Sequence, residues 1–355
     1  MAARSTALLY LLRETLPVEE ITADRMSISP YPAAVMQPTG NLPTIGQPKN
    51  AELPDALTLI FARLEANARR AQIGAAIDEI QSAAAQNHVL FCARRGERVV
   101  AAVWLQMQPG NVASLWPPGL DAEESKATAA TLIDLALSKA AAAGEIFVQS
   151  LLDTDSGMEV ELLMSAGFKH ATDLLYLVSP RHAFPISAPD CDLTFEPIDA
   201  VGNQVGEISR TKWSRLRNII EQTYQDTLDC PAVQGVRSID DVLASYQAVG
   251  NFDPSRWFIV QSAQTNADVG CLLLTIHSTQ KNCELVYMGI VPAARGKAYG
   301  LEVIRRAQWL CGLTDAECLV LAVDAANAPA IRAYAAAGFE TWDRRSVFLL
   351  TDFSR

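Results

Sequence analysis

The tripeptide Ala-Gly-Phe falls at 166–168 and again at 337–339, each time closing a short helical stretch, and the strand candidates around it keep the same order in both halves. Such a recurrence, about 170 residues apart, marks one structural unit used twice. It restricts the fold more than any other feature, because whatever sheet the first half builds, the second is expected to build too. The 355 residues suit two domains better than one, and half of them are apolar, enough for two cores.

Periodicity fills in the repeat. In the first half, helical stretches cover about 53–66 and 69–86, and the strands "HVLFCA" (88–93) and "VVAAVWLQM" (99–107) meet at the turn "RRGE". A helix follows Asp121 and stops at Gly144; "IFVQSLL", the short helix and "DLLYLV" complete the unit. The second half runs through "DLTFEPI", "WFIVQS", "CLLLTIHS" and "CELVYMGIV", then a helix, "CLVLAVD", a helix and "VFLL". Between the halves, "SPRHAFPISAPD" has three prolines and no period, so it reads as a linker. The expected division is an irregular segment 1–42, a first domain 43–178, a linker 179–190 and a second domain 191–355. The run "STALLYLL" (5–12) is short, is followed by Arg13 and Glu14, and lacks a small-residue cleavage site, which makes it a frayed terminus rather than a signal peptide.

Charge and cysteine usage exclude several function classes. A formal net charge of -11 repels nucleic-acid phosphates and anionic membrane at long range. No apolar run reaches the roughly 18 residues that span a bilayer. Seven cysteines form no CxxC pair, and with four scattered histidines no zinc spacing can be assembled, so no metal is expected. The thiols read as buried groups of a reducing compartment, which gives a cytoplasmic location.

The stretch "VPAARGKAYG" (291–300) joins a strand to a helix beginning near 298. First-turn amides at such a junction lack helical partners, and the helix dipole adds roughly half a positive charge. Arg295 and Lys297 contribute two more, while Gly296 and Gly300 allow close backbone approach. The loop is a candidate pyrophosphate site, with a solvated basic turn as its alternative. Downstream, "LAVDAANAPAIRAYAAAGFE" (321–340) offers Asn327 as an N-cap, Pro329 in the first turn and Gly338 as the stop.

Together these motifs resemble the GNAT superfamily of acyl-CoA-dependent N-acyltransferases. The phosphate-loop signature is met by Arg295, Ala298 and Gly300, and the later element by Asn327, Ala330, Tyr334, Gly338 and Phe339. The layout is similar to that of tandem GNAT proteins such as mycothiol synthase, which also share a strand glutamate, here Glu284, and the "VD" ahead of the asparagine, here Val323 and Asp324. The resemblance implies an α/β (α+β) fold of two tandem domains, each a mixed, mostly antiparallel sheet flanked by helices. It implies that the backbone of Met288, Gly289 and Ile290 binds a pantetheine arm, that Arg295, Gly296, Lys297, Ala298, Tyr299 and Gly300 hold the pyrophosphate, and that Asn327 contacts the same molecule. Tyr334 would protonate the departing thiolate and Glu284 would act as base, with His277 and Asp324 as weaker candidates. Thr227, Asp229 and Cys230 are candidate substrate contacts in the segment 223–241.

Placing the first half on the second sets Ser156 at the position of Asn327 and Leu163 at that of Tyr334, while "WPPGLDAEES" (116–125) brings Asp121, Glu123 and Glu124 near the phosphate loop's place. The first copy is therefore expected to be degenerate, because carboxylates there repel a phosphate. The expected activity is transfer of an acetyl group from acetyl-CoA to a primary amine in a ternary complex, by a monomer or homodimer, with no metal, nucleic acid or membrane involved. The rival readings are a non-catalytic acyl-CoA sensor and a partner-binding protein with no ligand.

Overall fold

The computed structural model describes residues 2–4, 42–82, 85–199 and 208–353. Most of the segment 1–42, including "STALLYLL", lies outside the described residues. The chain divides into two compact units, one holding Ala171–Ser346 with the strand at residues 2–4, the other holding the residues up to His170 together with the stretch from Val347. Each unit thus takes its last strand from the other half of the sequence.

The unit built on the first half orders its strands β2 (Thr44–Gly46), β3 (His88–Arg95), β4 (Arg98–Gln108), β5 (Val112–Leu120) and β6 (Phe147–Asp153) side by side. All neighbours are antiparallel except β5 and β6. Alternation along β3 explains the layering. Leu90 and Cys92 face α1 (Leu53–Ile60) and α2 (Ala66–Ile80), where Leu57, Phe61 and Trp104 pack; Val89, Phe91 and Ala93 face α3 (Lys126–Ala143), with Leu132, Ile133 and Ala136. The far end of the chain returns here, as Phe348 and Leu350 join the α3 core. The short α4 (Gly157–Ser165) contributes Leu162 and Leu163.

One strand of this unit was not expected. The Pro-Pro-Gly of 117–119 reads as a turn, yet it continues β5. The register shifts between Ala102 and Trp104, so the two prolines sit at an irregularity where the ladder does not need their missing N–H groups. Gly119 is required for another reason: a Cβ there would lie 2.1 Å from the carbonyl oxygen of Leu59.

The second unit repeats the order with β8 (Leu193–Pro197), β9 (Trp257–Ser262), β10 (Asp268–His277), β11 (Asn282–Ile290) and β12 (Cys318–Asp324), again antiparallel until the parallel pair β11–β12. Beside β12 lies β7 (Lys169–Pro180), antiparallel from Leu174 to Pro180, in the place a strand of its own half would take. The helices α5 (Arg210–Thr223) and α6 (Ile239–Gln247) precede β9, α7 (Tyr299–Gly312) fills the β11–β12 crossover as α3 fills β5–β6, and α8 (Ala328–Ala336) precedes β13 (Glu340–Leu350). Both units are mixed, mostly antiparallel sheets flanked by helices, as expected. Arg181, at the head of the proline-rich stretch, donates to the carbonyls of Gly312, Thr314 and Ala316, which fixes that stretch to the end of α7. Among the described residues no helix is long and apolar enough to cross a membrane.

The start of α3 carries its own anion. Glu124 accepts from Arg95 at 2.8 Å, from the Ser125 amide at 2.9 Å and from the Thr128 hydroxyl at 2.7 Å, while Ser125 caps the helix. The Arg95 hydrogen bond, with help from the amide and hydroxyl, outweighs burial and holds the carboxyl at about 2. A carboxyl depressed in the folded state stabilises it above the unfolded value of about 4.3, and that contribution disappears as pH falls toward 2. Melting temperature measured from pH 5 to pH 2 is expected to fall more steeply for the wild type than for Glu124→Gln.

Candidate active site

The strands β11 and β12 pair only from Asn282/Cys318 to Glu284/Val320. Beyond that row β12 continues against β7 and β11 continues against β10, so the two strands fork. On the free flank of β11, the strand β1 (Ala2–Arg4) pairs antiparallel with Tyr287, Met288 and Gly289. The expected pantetheine-binding backbone, Met288 to Ile290, therefore lies on the flank of the fork where Met288 and Gly289 pair with an extended strand, β1.

Glu284 stands at the base of the fork. It is buried, its Oε2 lies 2.7 Å from Nε2 of His277, and its Oε1 has no partner. His277 is the cross-strand neighbour of Asn282 in the β10–β11 hairpin, which brings its ring to the carboxylate. The register of this hairpin slips between Leu273 and Leu274, passing over Val286. The slip puts Glu284 and Tyr287 on one face of the sheet, toward α5 and α6, where the Tyr287 hydroxyl meets Thr223 at 2.7 Å and its ring stacks on Tyr246. Gly289 is needed here because a Cβ would come within 2.7 Å of the Thr223 side chain.

The basic loop follows. After a short 3-10 turn at Pro292–Ala294, Gly296 and Ala298 both adopt positive φ, 82° and 62°, and α7 begins at Tyr299. A backbone that alternates hand before a helix turns successive amides toward one point, which suits an anion. Gly296, Lys297 and Ala298 are exposed, and Gly300 is buried in the first turn of α7. Arg295 is placed differently from a free cation: its guanidinium donates to the carbonyls of Ile290 and Thr223, at 3.1 and 3.0 Å, bracing the end of β11 against α5. Lys297 is the exposed positive charge of the loop, with Nζ 5.9 Å from the Tyr299 ring centre.

Ala298 carries strain, since a left-handed backbone costs a residue with a Cβ roughly 1–2 kcal/mol. Ala298→Gly is therefore expected to stabilise the unit by about 1 kcal/mol, after the looser unfolded chain is counted, and a thermal melt reads it.

The remaining candidates gather at the end of β12. Asp229 accepts the Asp324 amide at 3.0 Å, Asp324 accepts the Cys230 amide at 2.9 Å and the Ala326 amide at 2.7 Å, and Thr227 accepts the Asp229 amide at 3.2 Å. This reciprocal clasp locks the loop between α5 and α6 onto β12, and it makes Asp324 a structural carboxylate. Asn327 caps α8 by accepting the Ala330 amide at 3.3 Å. Tyr334, on the next turn, is fully buried with an unpartnered hydroxyl. Burial, reinforced by the charge of Asp229, raises its pKa, so the phenol keeps its proton. Burial likewise pushes the Cys271 thiol up to about 12 and the Cys318 thiol up to about 11, which leaves them inert as nucleophiles.

Two residues of this region carried no signal in the sequence. Tyr176 on β7 and Trp342 on β13 lie with ring centres 5.8 Å apart, and Trp342 packs on Val178, Cys318 and Val320. Only the pairing of β7 with β12 reveals them.

Residues 213–339 match the model of the acetyltransferase (GNAT) family, a stretch that runs from α5 to the residues just after α8. Among solved structures, a GCN5-related N-acetyltransferase from Sphaerobacter thermophilus superposes with a TM-score of 0.62 at 14% identity, over 87% of this chain and 95% of that one. A glucosamine N-acetyltransferase region of a fungal multi-domain GH3 β-N-acetylglucosaminidase gives a TM-score of 0.59 at 13% identity, over 89% of this chain and 39% of that one. At such identities the likeness is one of fold. No curated protein matches the sequence. The GNAT fold expected from the two motifs is the fold found, and the family match falls on the half that carries them.

Proposed function

We propose that the chain transfers an acetyl group from acetyl-CoA to a primary amine, and that the second unit performs the chemistry. The observation that carries this reading is the fork: a buried carboxylate with one free oxygen where β11 leaves β12, next to a turn of alternating backbone hand at the head of α7. The family match over 213–339 supports it.

In this reading the amides of Gly296 to Gly300 hold the pyrophosphate, with Lys297 as its exposed counter-charge. Arg295 serves the site by bracing the loop rather than by touching phosphate. Met288 to Ile290 offer backbone to the pantetheine arm, and an arm seated there displaces β1 from the same edge. Asn327 orients the first turn of α8. Glu284 takes the proton of the incoming ammonium, which frees the nitrogen lone pair to attack the thioester carbonyl. As the C–N bond forms and the C–S bond breaks, the Tyr334 phenol gives its proton to the thiolate and regains one from the acylated nitrogen as that becomes the neutral amide; the proton held by Glu284 leaves to solvent. Thr227, Asp229 and Cys230 form a fixed edge of the acceptor cleft.

The first unit is read as having kept the fold without the phosphate site. Its α3 terminus is already satisfied by Glu124, an internal carboxylate where a phosphate would sit, and Leu163 fills the place of the tyrosine.

Incubating the full chain with acetyl-CoA and a panel of primary amines, with free thiol and acetylated product measured together, tests the proposal. Stoichiometric thiol and amide are expected. Tight acetyl-CoA binding without any product would instead make the protein a sensor.

A further inference from the structure

Among the buried polar atoms of this unit without a partner in the protein, four belong to neighbouring strands: Glu284 Oε1, Asn282 Oδ1, the Tyr176 hydroxyl and Trp342 Nε1. Buried polar atoms are normally satisfied, so a cluster of exceptions marks a place where something polar binds. Register puts them together. Val178 pairs with Val320, and Val320 with Glu284, so these side chains share a face of the sheet; Tyr176, paired with Ala322, lies two residues along β7 on the same face. Asn282, paired with Cys318, lies two residues from Glu284 on β11. Trp342, on β13 beside β7, packs on Val178, Cys318 and Val320 of the row. The Tyr176 phenol is fully buried and lies within the electrostatic reach of Glu284 and Cys230, that is, of both the fork and the clasped loop.

We infer that Tyr176 and Trp342 form the acceptor wall of the active site, and that the acceptor is a polar amine whose second group, a hydroxyl, carboxylate or carbonyl, accepts hydrogen bonds from the Tyr176 hydroxyl and the Trp342 indole N–H. The inference rests on the acetyltransferase reading and gives its acceptor a chemical class. It also assigns a task to the first half of the sequence, which delivers Tyr176 into the other unit through β7. Neither side chain contributes to the phosphate loop, so acceptor selection and acyl-CoA binding separate. Glu284 and Asn282 bring acceptor oxygens to the amine end of the same cleft. A simple alkylamine would leave the tyrosine and tryptophan donors unsatisfied, and a site built to hydrogen-bond a substrate group discriminates strongly against an analogue that lacks it.

The test compares ethanolamine, glycine methyl ester and other small amino alcohols and amino esters with alkylamines of equal length, using the full-length wild type, Tyr176→Phe and Trp342→Phe. The wild type is expected to favour the polar amines by about tenfold or more in kcat/KM. Tyr176→Phe, which removes one oxygen and keeps the ring, is expected to raise KM for polar amines about tenfold and to narrow that preference, with acetyl-CoA affinity within twofold of wild type. Trp342→Phe gives the same pattern through the lost indole N–H. If the wild type acetylates amines but both variants keep its preference and KM, the acceptor wall is wrong and the acetyltransferase reading stands. A fall in acetyl-CoA affinity parallel to the loss of activity also overturns the inference. No transfer to any amine by the wild type removes both.

Discussion

Glu284→Gln is expected to lower kcat/KM for acetyl transfer by about 10²–10³-fold, within the range a positioned general base supplies, while acetyl-CoA binds with unchanged affinity. The substitution keeps the volume and the neighbour of His277 but removes the group that takes the proton. Glu284 is buried, anchored through one oxygen and free at the other, which is the arrangement of a base held for a partner absent from the folded protein. A glutamate with no part in the proton transfer would leave kcat/KM unchanged when replaced.

Tyr334→Phe is expected to cost about 10²-fold in kcat with acetyl-CoA. Its phenol is wholly buried, burial and the nearby Asp229 both oppose ionisation, and its hydroxyl has no partner in the protein, which suits it to the donor role proposed for it. The readout that separates this role from packing against Phe339, 5.5 Å away between ring centres, is the leaving group. With a thioester of a more acidic thiol the thiolate departs without protonation, and the deficit of Tyr334→Phe is expected to shrink toward none. A deficit that persists across thiols would make the tyrosine a packing residue.

The sequence carried the local parts of this account and hid the non-local ones. The nearly continuous apolar runs "CELVYMGIV" and "CLVLAVD" and the stop signals of the helices place β11, β12 and α7 close to their bounds, because those signals are set by nearest neighbours. The strand at 112–120 escaped because Pro117, Pro118 and Gly119 imitate a turn, and their reasons for being in a strand, a register slip and the close approach of Leu59, involve other segments. The turn before α7 was legible from its glycines, yet the destination of the Arg295 side chain was not, since the carbonyls it serves belong to Ile290 and Thr223. Tyr176 and Trp342 were invisible for the strongest reason. Their relation to Glu284 exists only because β7, from the first half of the sequence, takes the edge of β12.

The measurement that bears most directly on the central claim is a calorimetric titration of acetyl-CoA into the full-length wild type and into Lys297→Glu, a change at an exposed loop position that leaves the Arg295 brace intact. One site per chain is expected in the wild type, with an affinity at least tenfold lower in Lys297→Glu, because a carboxylate at the head of α7 repels the pyrophosphate. Absence of binding by the wild type, or equal affinity in the two proteins, would contradict that claim.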